Sequence, residues 1–192
     1  MIYLIGGAPR VGKSIIAKQF AESIKGRFVS TDELENPDDQ QPSVIFYSDP
    51  KKNILTPSQR IESVKNEAKQ IASNITNVID KAIKEPQDTV IEGVHLFPAY
   101  VDNFIRKFGK DNIKAIFIGS RNIELVLEGM ARNISQNNWL KDFNQEVLRQ
   151  IALFTKAFSD YLYDECKKYN LLYKERSNDF QKDIHDIIKE FS

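Results

Sequence analysis

Gly7-Ala8-Pro9-Arg10-Val11-Gly12-Lys13-Ser14 is the stretch on which the reading of this chain turns. An apolar run, Ile2-Tyr3-Leu4-Ile5, precedes it, and Ile15-Ile16-Ala17-Lys18-Gln19-Phe20 follows. Glycine, four residues, then Gly-Lys-Ser is the spacing of a loop that cradles phosphate between a strand and a helix. Gly7 and Gly12 allow backbone conformations that a side chain forbids. The loop's N–H groups can then converge on one anion, aided by the positive end of the following helix. Lys13 supplies a flexible point charge for the outer phosphates. The Ser14 hydroxyl can ligand Mg²⁺. Gly7 through Ile15 is thus the expected phosphate-binding set.

Composition sets the outer limits. The chain has 192 residues, 41% of them hydrophobic, which suits a single α/β domain over 1–192. Its 27 basic and 27 acidic residues leave a net charge of +0. That balance offers no electrostatic case for nucleic acid or an anionic membrane as partner. Cys166 is the only cysteine, so an intrachain disulfide and a cysteine metal cluster are excluded. Two distant histidines, His95 and His185, do not make a zinc site, and His185 reads as a surface residue. Met1 runs straight into the first strand without a signal pattern, and no apolar run nears the length of a membrane span. A reducing cytoplasm is the expected setting, with a monomer or homodimer as the expected state.

Strands and helices alternate along the chain. Residues 2–6 read as a buried strand, and 13–25 as a helix with Ile15, Ile16, Phe20 and Ile24 inward and Gly26 as its C-cap. A second strand covers 27–30. Four prolines (Pro37, Pro42, Pro50 and Pro57) break residues 35–57, yet Val44-Ile45-Phe46-Tyr47 is apolar enough to pack near the site or over the surface. Thr56 and Pro57 start a long helix to about Lys84, patterned by Ile61, Val64, Ala68, Ile71, Ile75, Val78, Ile79 and Ala82. Residues 35–84 form the expected insertion on the substrate side. A third strand covers 88–93, a helix 98–108 ends at Gly109, and a fourth strand covers 113–119. A helix from Asn122 to about Arg132 leads to the polar stretch 133–143, the expected lid. Val147 to Leu162 marks a long amphipathic helix, 171–173 a fifth strand, and Asp179 opens the last helix. This alternation predicts a parallel sheet wrapped by helices, with ligands at the carboxyl ends of the strands.

That rule selects the remaining candidates. Asp32 follows the second strand and Glu92 ends the third. Phosphoryl transfer needs a carboxylate near Mg²⁺ and another to take the proton of an attacking hydroxyl. Asp32 is the preferred base or substrate-hydroxyl binder, and Glu92 is preferred for the Mg²⁺ shell and substrate; a helix N-cap is the alternative for Asp32. His95, three residues beyond Glu92, can contact substrate or serve structure. Arg10, inside the loop, can reach substrate or point to solvent. Arg132 is placed to bring a cation over the phosphates as a lid closes, or to complement its own helix dipole. Arg121 reads as a solvated charge. Trp139 sits in the lid stretch as either a hinge anchor or core. Arg176, Ser177 and Asn178 follow the fifth strand and either edge the nucleotide base or cap the last helix.

With these residues in place, the chain resembles the nucleoside-monophosphate-kinase-like branch of P-loop kinases, which includes shikimate, gluconate and uridine kinases. The string Ile91-Glu92-Gly93-Val94-His95-Leu96 also resembles the third-strand segment of 2-phosphoglycerate kinases. The resemblance implies a three-layer P-loop NTPase fold with sheet order 2-3-1-4-5, ATP with Mg²⁺, and phosphorylation of a small metabolite. The lid stretch departs from the branch in lacking closely spaced arginines, and 35–57 carries no known substrate motif.

The expected activity is therefore transfer of the γ-phosphoryl of ATP to a hydroxyl of a phosphorylated metabolite, sugar acid or nucleoside. The competing reading is a nucleotide-binding switch or regulatory ATPase with no small-molecule acceptor.

Overall fold

The computed structural model describes residues 1–34, 45–133 and 138–191. Its centre is a parallel five-stranded sheet in the order β2-β3-β1-β4-β5, built from β1 (Ile2–Gly7), β2 (Arg27–Ser30), β3 (Thr89–Gly93), β4 (Ile113–Gly119) and β5 (Leu172–Glu175). The order is the one that the resemblance implied. β1 and β3 are buried along their whole length, as strands covered on both faces must be. Glu92 pairs in register with Ile5 on one side and Ser30 on the other, so the three strand ends lie side by side.

Helices cover both faces. α1 (Lys13–Ser23) and α6 (Phe180–Phe191) contact each other, and Tyr3 of β1 packs edge-on against both Phe20 and Phe191. α5 (Gln145–Tyr169) gathers α2 (Pro57–Ala82), α3 (Pro98–Phe108) and α4 (Ile123–Asn133) around it. A contiguous core runs through both layers, with Phe20, Phe117, Phe154 and Phe158 among its fully buried side chains.

Most boundaries follow local chemistry. Thr56 caps α2 in a reciprocal capping box with Gln59, and Pro57 occupies its first turn. All eight apolar positions expected of this helix are buried or packed against the core. Gly109 ends α3 at φ 92, and Asn170 ends α5 in the left-handed region.

Two local expectations fail in α1. Ile15 is 41% exposed rather than inward. A helix starting at Lys13 turns Ile16, Ala17, Phe20 and Ala21 to the core, which leaves Ile15 on the outer side. The left-handed residue after the helix is Lys25, at φ 51, not Gly26. Gly26 serves close packing instead: a Cβ there would lie 3.0 Å from both the Asp88 carbonyl and the Ile24 side chain. β5 also begins one residue later than expected.

The part of the expected insertion before Ile45, residues 35–44 with Pro37, Pro42 and Val44, lies outside the described residues. From Ile45 onward the chain packs. Phe46 is buried against Phe154, with the Arg60 guanidinium 3.8 Å from its ring centroid. Asn53 bridges Tyr47 and Gln150 through its side chain. Residues 134–137 and the Trp139 side chain, central to the expected lid, likewise lie outside the described residues. A short 3-10 turn spans Asn138–Asp142. Among the described residues no helix is long and apolar enough to cross a membrane.

Candidate functional site

The phosphate loop joins β1 to α1 at the carboxyl edge of the sheet. The Ala8 N–H donates to the Ile118 carbonyl at 3.0 Å, which ties the loop's start to β4. Arg10 takes φ 63 and Gly12 φ 86. A non-glycine residue in that region carries strain, which concentrates at functional loops. Gly12 is the N-cap of α1 and offers no side chain to the first-turn N–H groups, of which Ile15 N–H donates to the Gly12 carbonyl at 3.1 Å. A Cβ on Gly12 would lie 2.7 Å from the Phe180 ring, so the loop is also pressed against α6. Ser14 is exposed at the start of α1.

Two titratable groups meet where β3 ends and α1 begins. Lys13 Nζ lies 3.4 Å from Glu92 Oε1, and both side chains are buried. A carboxylate ending an apolar strand needs a partner, and Lys13 is that partner here. Asp32 lies in a 3-10 turn (Thr31–Leu34) that follows β2 directly. Its side chain is 72% exposed. Arg10 faces it. Burial pushes the Arg10 guanidinium down to about 10, and the Asp32 charge partly offsets this. One carboxylate is thus sequestered on the lysine, and the other stands open at the mouth of the loop.

His95 sits behind Asp32 and is 2% exposed. Its Nδ1 lies 3.0 Å from Thr31 Oγ1 and 3.8 Å from Asp32 Oδ1. Its Nε2 lies 3.6 Å from Glu67 Oε2 on α2. Glu67 was not among the sequence candidates. It reads as one acid among many on a long amphipathic helix, and only the fold places it against His95.

At the other end of the site, the chain leaving β5 folds back toward the loop. The Arg176 N–H donates to the Gly119 carbonyl, and its guanidinium lies 4.8 Å from the Phe180 ring centroid. A Cβ on Gly129 of α4 would come within 2.9 Å of Arg176 Nη1. Burial lowers the Arg176 pKa, with neighbouring Arg132 acting the same way. Arg132 is exposed, 3.3 Å from Glu128 one turn earlier. The Ser177 N–H and hydroxyl both bond the buried Asp183 carboxylate, and Asp179 accepts from the Lys182 N–H. Ser177 therefore serves the first turn of α6, and Asn178 is exposed beside it. Arg121 is not a free surface charge: its backbone N–H and Nε both bond Glu175, and it stacks over Tyr163 at 4.3 Å. The Glu175 bond raises its pKa. His185 is exposed, as expected.

The residues present suit a magnesium ion carried by a nucleotide. Ser14 exposes its hydroxyl at the helix start, and Glu92 lies at the neighbouring strand end. Among the described residues no group of three or more His, Cys, Asp or Glu side chains could hold a metal ion. Mg²⁺ does not require one, because it keeps several waters and binds through phosphate oxygens.

No protein-family model matches the sequence, and no curated protein matches it. Solved structures do match. A gluconokinase from Sinorhizobium meliloti aligns with 97% of this chain and 89% of its own, at a TM-score of 0.56 and 14% identity. An uncharacterised protein from Eubacterium ventriosum aligns over 99% of this chain and 97% of its own, at a TM-score of 0.53 and 19% identity. The fold is that of the P-loop kinases of the nucleoside-monophosphate-kinase-like type.

Proposed function

We propose that this chain, with its P-loop kinase fold, is an ATP-dependent small-molecule kinase that transfers the γ-phosphoryl group to a hydroxyl of a small metabolite. The observation that carries this reading is the division of labour between two carboxylates. Glu92 is buried on Lys13 at 3.4 Å, whereas Asp32 stands 72% exposed beside Arg10. A switch protein needs a segment that senses the γ-phosphate and has no use for an open carboxylate base. An open carboxylate at the mouth of a phosphate loop suits an acceptor hydroxyl.

In this reading the loop N–H groups and Lys13 hold the nucleotide's outer phosphates. Ser14 and Glu92 would hold Mg²⁺, which when bound neutralises charge on those phosphates. Asp32 orients the acceptor hydroxyl and takes its proton as the new O–P bond forms and the bond to the ADP oxygen breaks. Arg10, beside Asp32, contacts the acceptor. Arg132 approaches from the end of α4 and offsets charge on the transferring group. Arg176 and Phe180, stacked at the exit of β5, offer a flat platform beside the loop for the nucleotide base. A gluconokinase of the same fold accords with an acceptor of the sugar-acid kind, and phosphorylated metabolites and nucleosides share the required hydroxyl.

The test is a metabolite-pool screen with purified protein, Mg²⁺ and γ-labelled ATP. Label on a small molecule supports the kinase and names the acceptor's class. Label released only as free phosphate from every pool overturns it in favour of a regulatory ATPase or switch.

A further inference from the structure

We infer that His95 is the positioning residue for Asp32, held by Glu67 and acting through Thr31, rather than a group that touches substrate. The inference rests on the kinase reading for what Asp32 does, but the geometry stands by itself. His95 is 2% exposed, and each ring nitrogen faces a protein oxygen. Nε2 faces Glu67 Oε2 at 3.6 Å. That separation is an electrostatic contact rather than a hydrogen bond, and of the two carboxylates near the ring Glu67 is the less exposed, 21% against 72% for Asp32, so its charge is less screened and favours the proton on Nε2. Nδ1 is then an acceptor, and the Thr31 hydroxyl donates to it at 3.0 Å. Thr31 immediately precedes Asp32 and opens the four-residue turn that carries it.

Two further observations show that this contact is built in. Thr31 is fully buried, and its side chain occupies the space that a Cβ on Gly93 would need. β3 therefore ends on a residue without a side chain, where Thr31 crosses toward His95. The far end of the same turn is also held from α2: Asn74 Nδ2 donates to the Leu34 carbonyl at 3.0 Å. Glu67 and Asn74 are seven residues apart, two turns along one helix face. α2 thus grips the Asp32 turn at both ends, once directly and once through the imidazole. Asp32 itself stays open to an acceptor, with its Oδ1 3.8 Å from Nδ1.

The test compares Thr31→Val, Thr31→Ser and Glu67→Gln with wild type. Transfer is measured from γ-labelled ATP to the metabolite pool, alongside crystal structures of each protein. Valine keeps the shape and loses the donor. Thr31→Val is expected to lower kcat at least about tenfold, the scale of a small misplacement at a reacting centre. Its KM for ATP stays at the wild-type value, and Asp32 is displaced in the crystal. Thr31→Ser, which keeps the hydroxyl, restores most of the rate. Glu67→Gln, which keeps the shape and removes the charge facing Nε2, gives a smaller loss of kcat. The inference is overturned if Thr31→Val transfers at the wild-type rate with Asp32 in place, or if serine and valine lose activity equally. Should wild type label no acceptor, the kinase reading fails by itself. The position of Asp32 in Thr31→Val crystals then decides the positioning claim alone.

Discussion

Asp32 is the residue at which chemistry and structure are easiest to separate. Its carboxylate is 72% exposed, so Asp32→Asn removes a charge without opening a cavity. Surface changes of that kind move stability by less than about 0.5 kcal/mol. We expect Asp32→Asn to lower kcat by about a hundredfold or more, within the usual range for a lost general base. ATP affinity and melting temperature should stay near wild type. Steady-state transfer assays beside thermal melts read this directly, and a large fall in melting temperature with transfer intact would return Asp32 to a capping role. The site was legible to different depths. The loop's place between β1 and α1 could be read, because its spacing is local. Glu92 could be read because a charge ending a buried strand demands a partner, although the sequence did not name Lys13. Glu67 could not be read at all, since nothing in α2's periodicity distinguishes an acid facing His95 from one facing water. For Ser177 the sequence left two uses open, and the structure directs its hydroxyl and N–H to Asp183.

Elements were legible where their ends carry local signals. α3, bounded by Pro98 and Gly109, and β4 have the expected limits, whereas α1 reports its end through Lys25 because Gly26 is needed for packing against Asp88. The grip of α2 on the Asp32 turn makes its first turn worth testing. Thr56→Ala removes one half of the capping box and should cost about 1 kcal/mol. For a chain of this size that is a fall of about 2–4 °C in melting temperature. Calorimetry checks it, and Thr56→Ser should recover most of the loss. α5 carries a second test in Cys166, which is buried and unbridged. Burial pushes its thiol from 9.0 up to about 12. The folded state therefore keeps the proton that the unfolded state gives up. The resulting stabilisation is complete below pH 9 and is lost as pH rises toward about 12. Urea melts across that range should show a smaller alkaline loss for Cys166→Ala than for wild type. In the native protein near pH 8, a thiol reagent should react only at the rate of unfolding.

At the scale of the whole molecule, the sheet order brings β1, β2 and β3 side by side, so that loop, Lys13, Glu92 and Asp32 converge although they are far apart in sequence. Lys13 lies 3.4 Å from the buried Glu92, so a lysine drawn to phosphate leaves that carboxylate to be compensated, as a magnesium-bound nucleotide would do. Binding to the folded chain alone must then stabilise it. At a hundred times its dissociation constant, a non-hydrolysable ATP analogue with Mg²⁺ should add about 2.7 kcal/mol. With about 2–4 °C per kcal/mol for this size, the melting temperature should rise by roughly 5–10 °C. Lys13→Ala should abolish most of that rise, because the remaining loop N–H groups lack the mobile charge for the outer phosphates. The same scan with a GTP analogue asks whether the platform proposed at Arg176 and Phe180 is selective, since stacking alone accepts any base and an unequal shift requires an edge contact. A fold that melts at the same temperature with and without either analogue would show that the loop does not take nucleotide, and the proposed chemistry would fall with it.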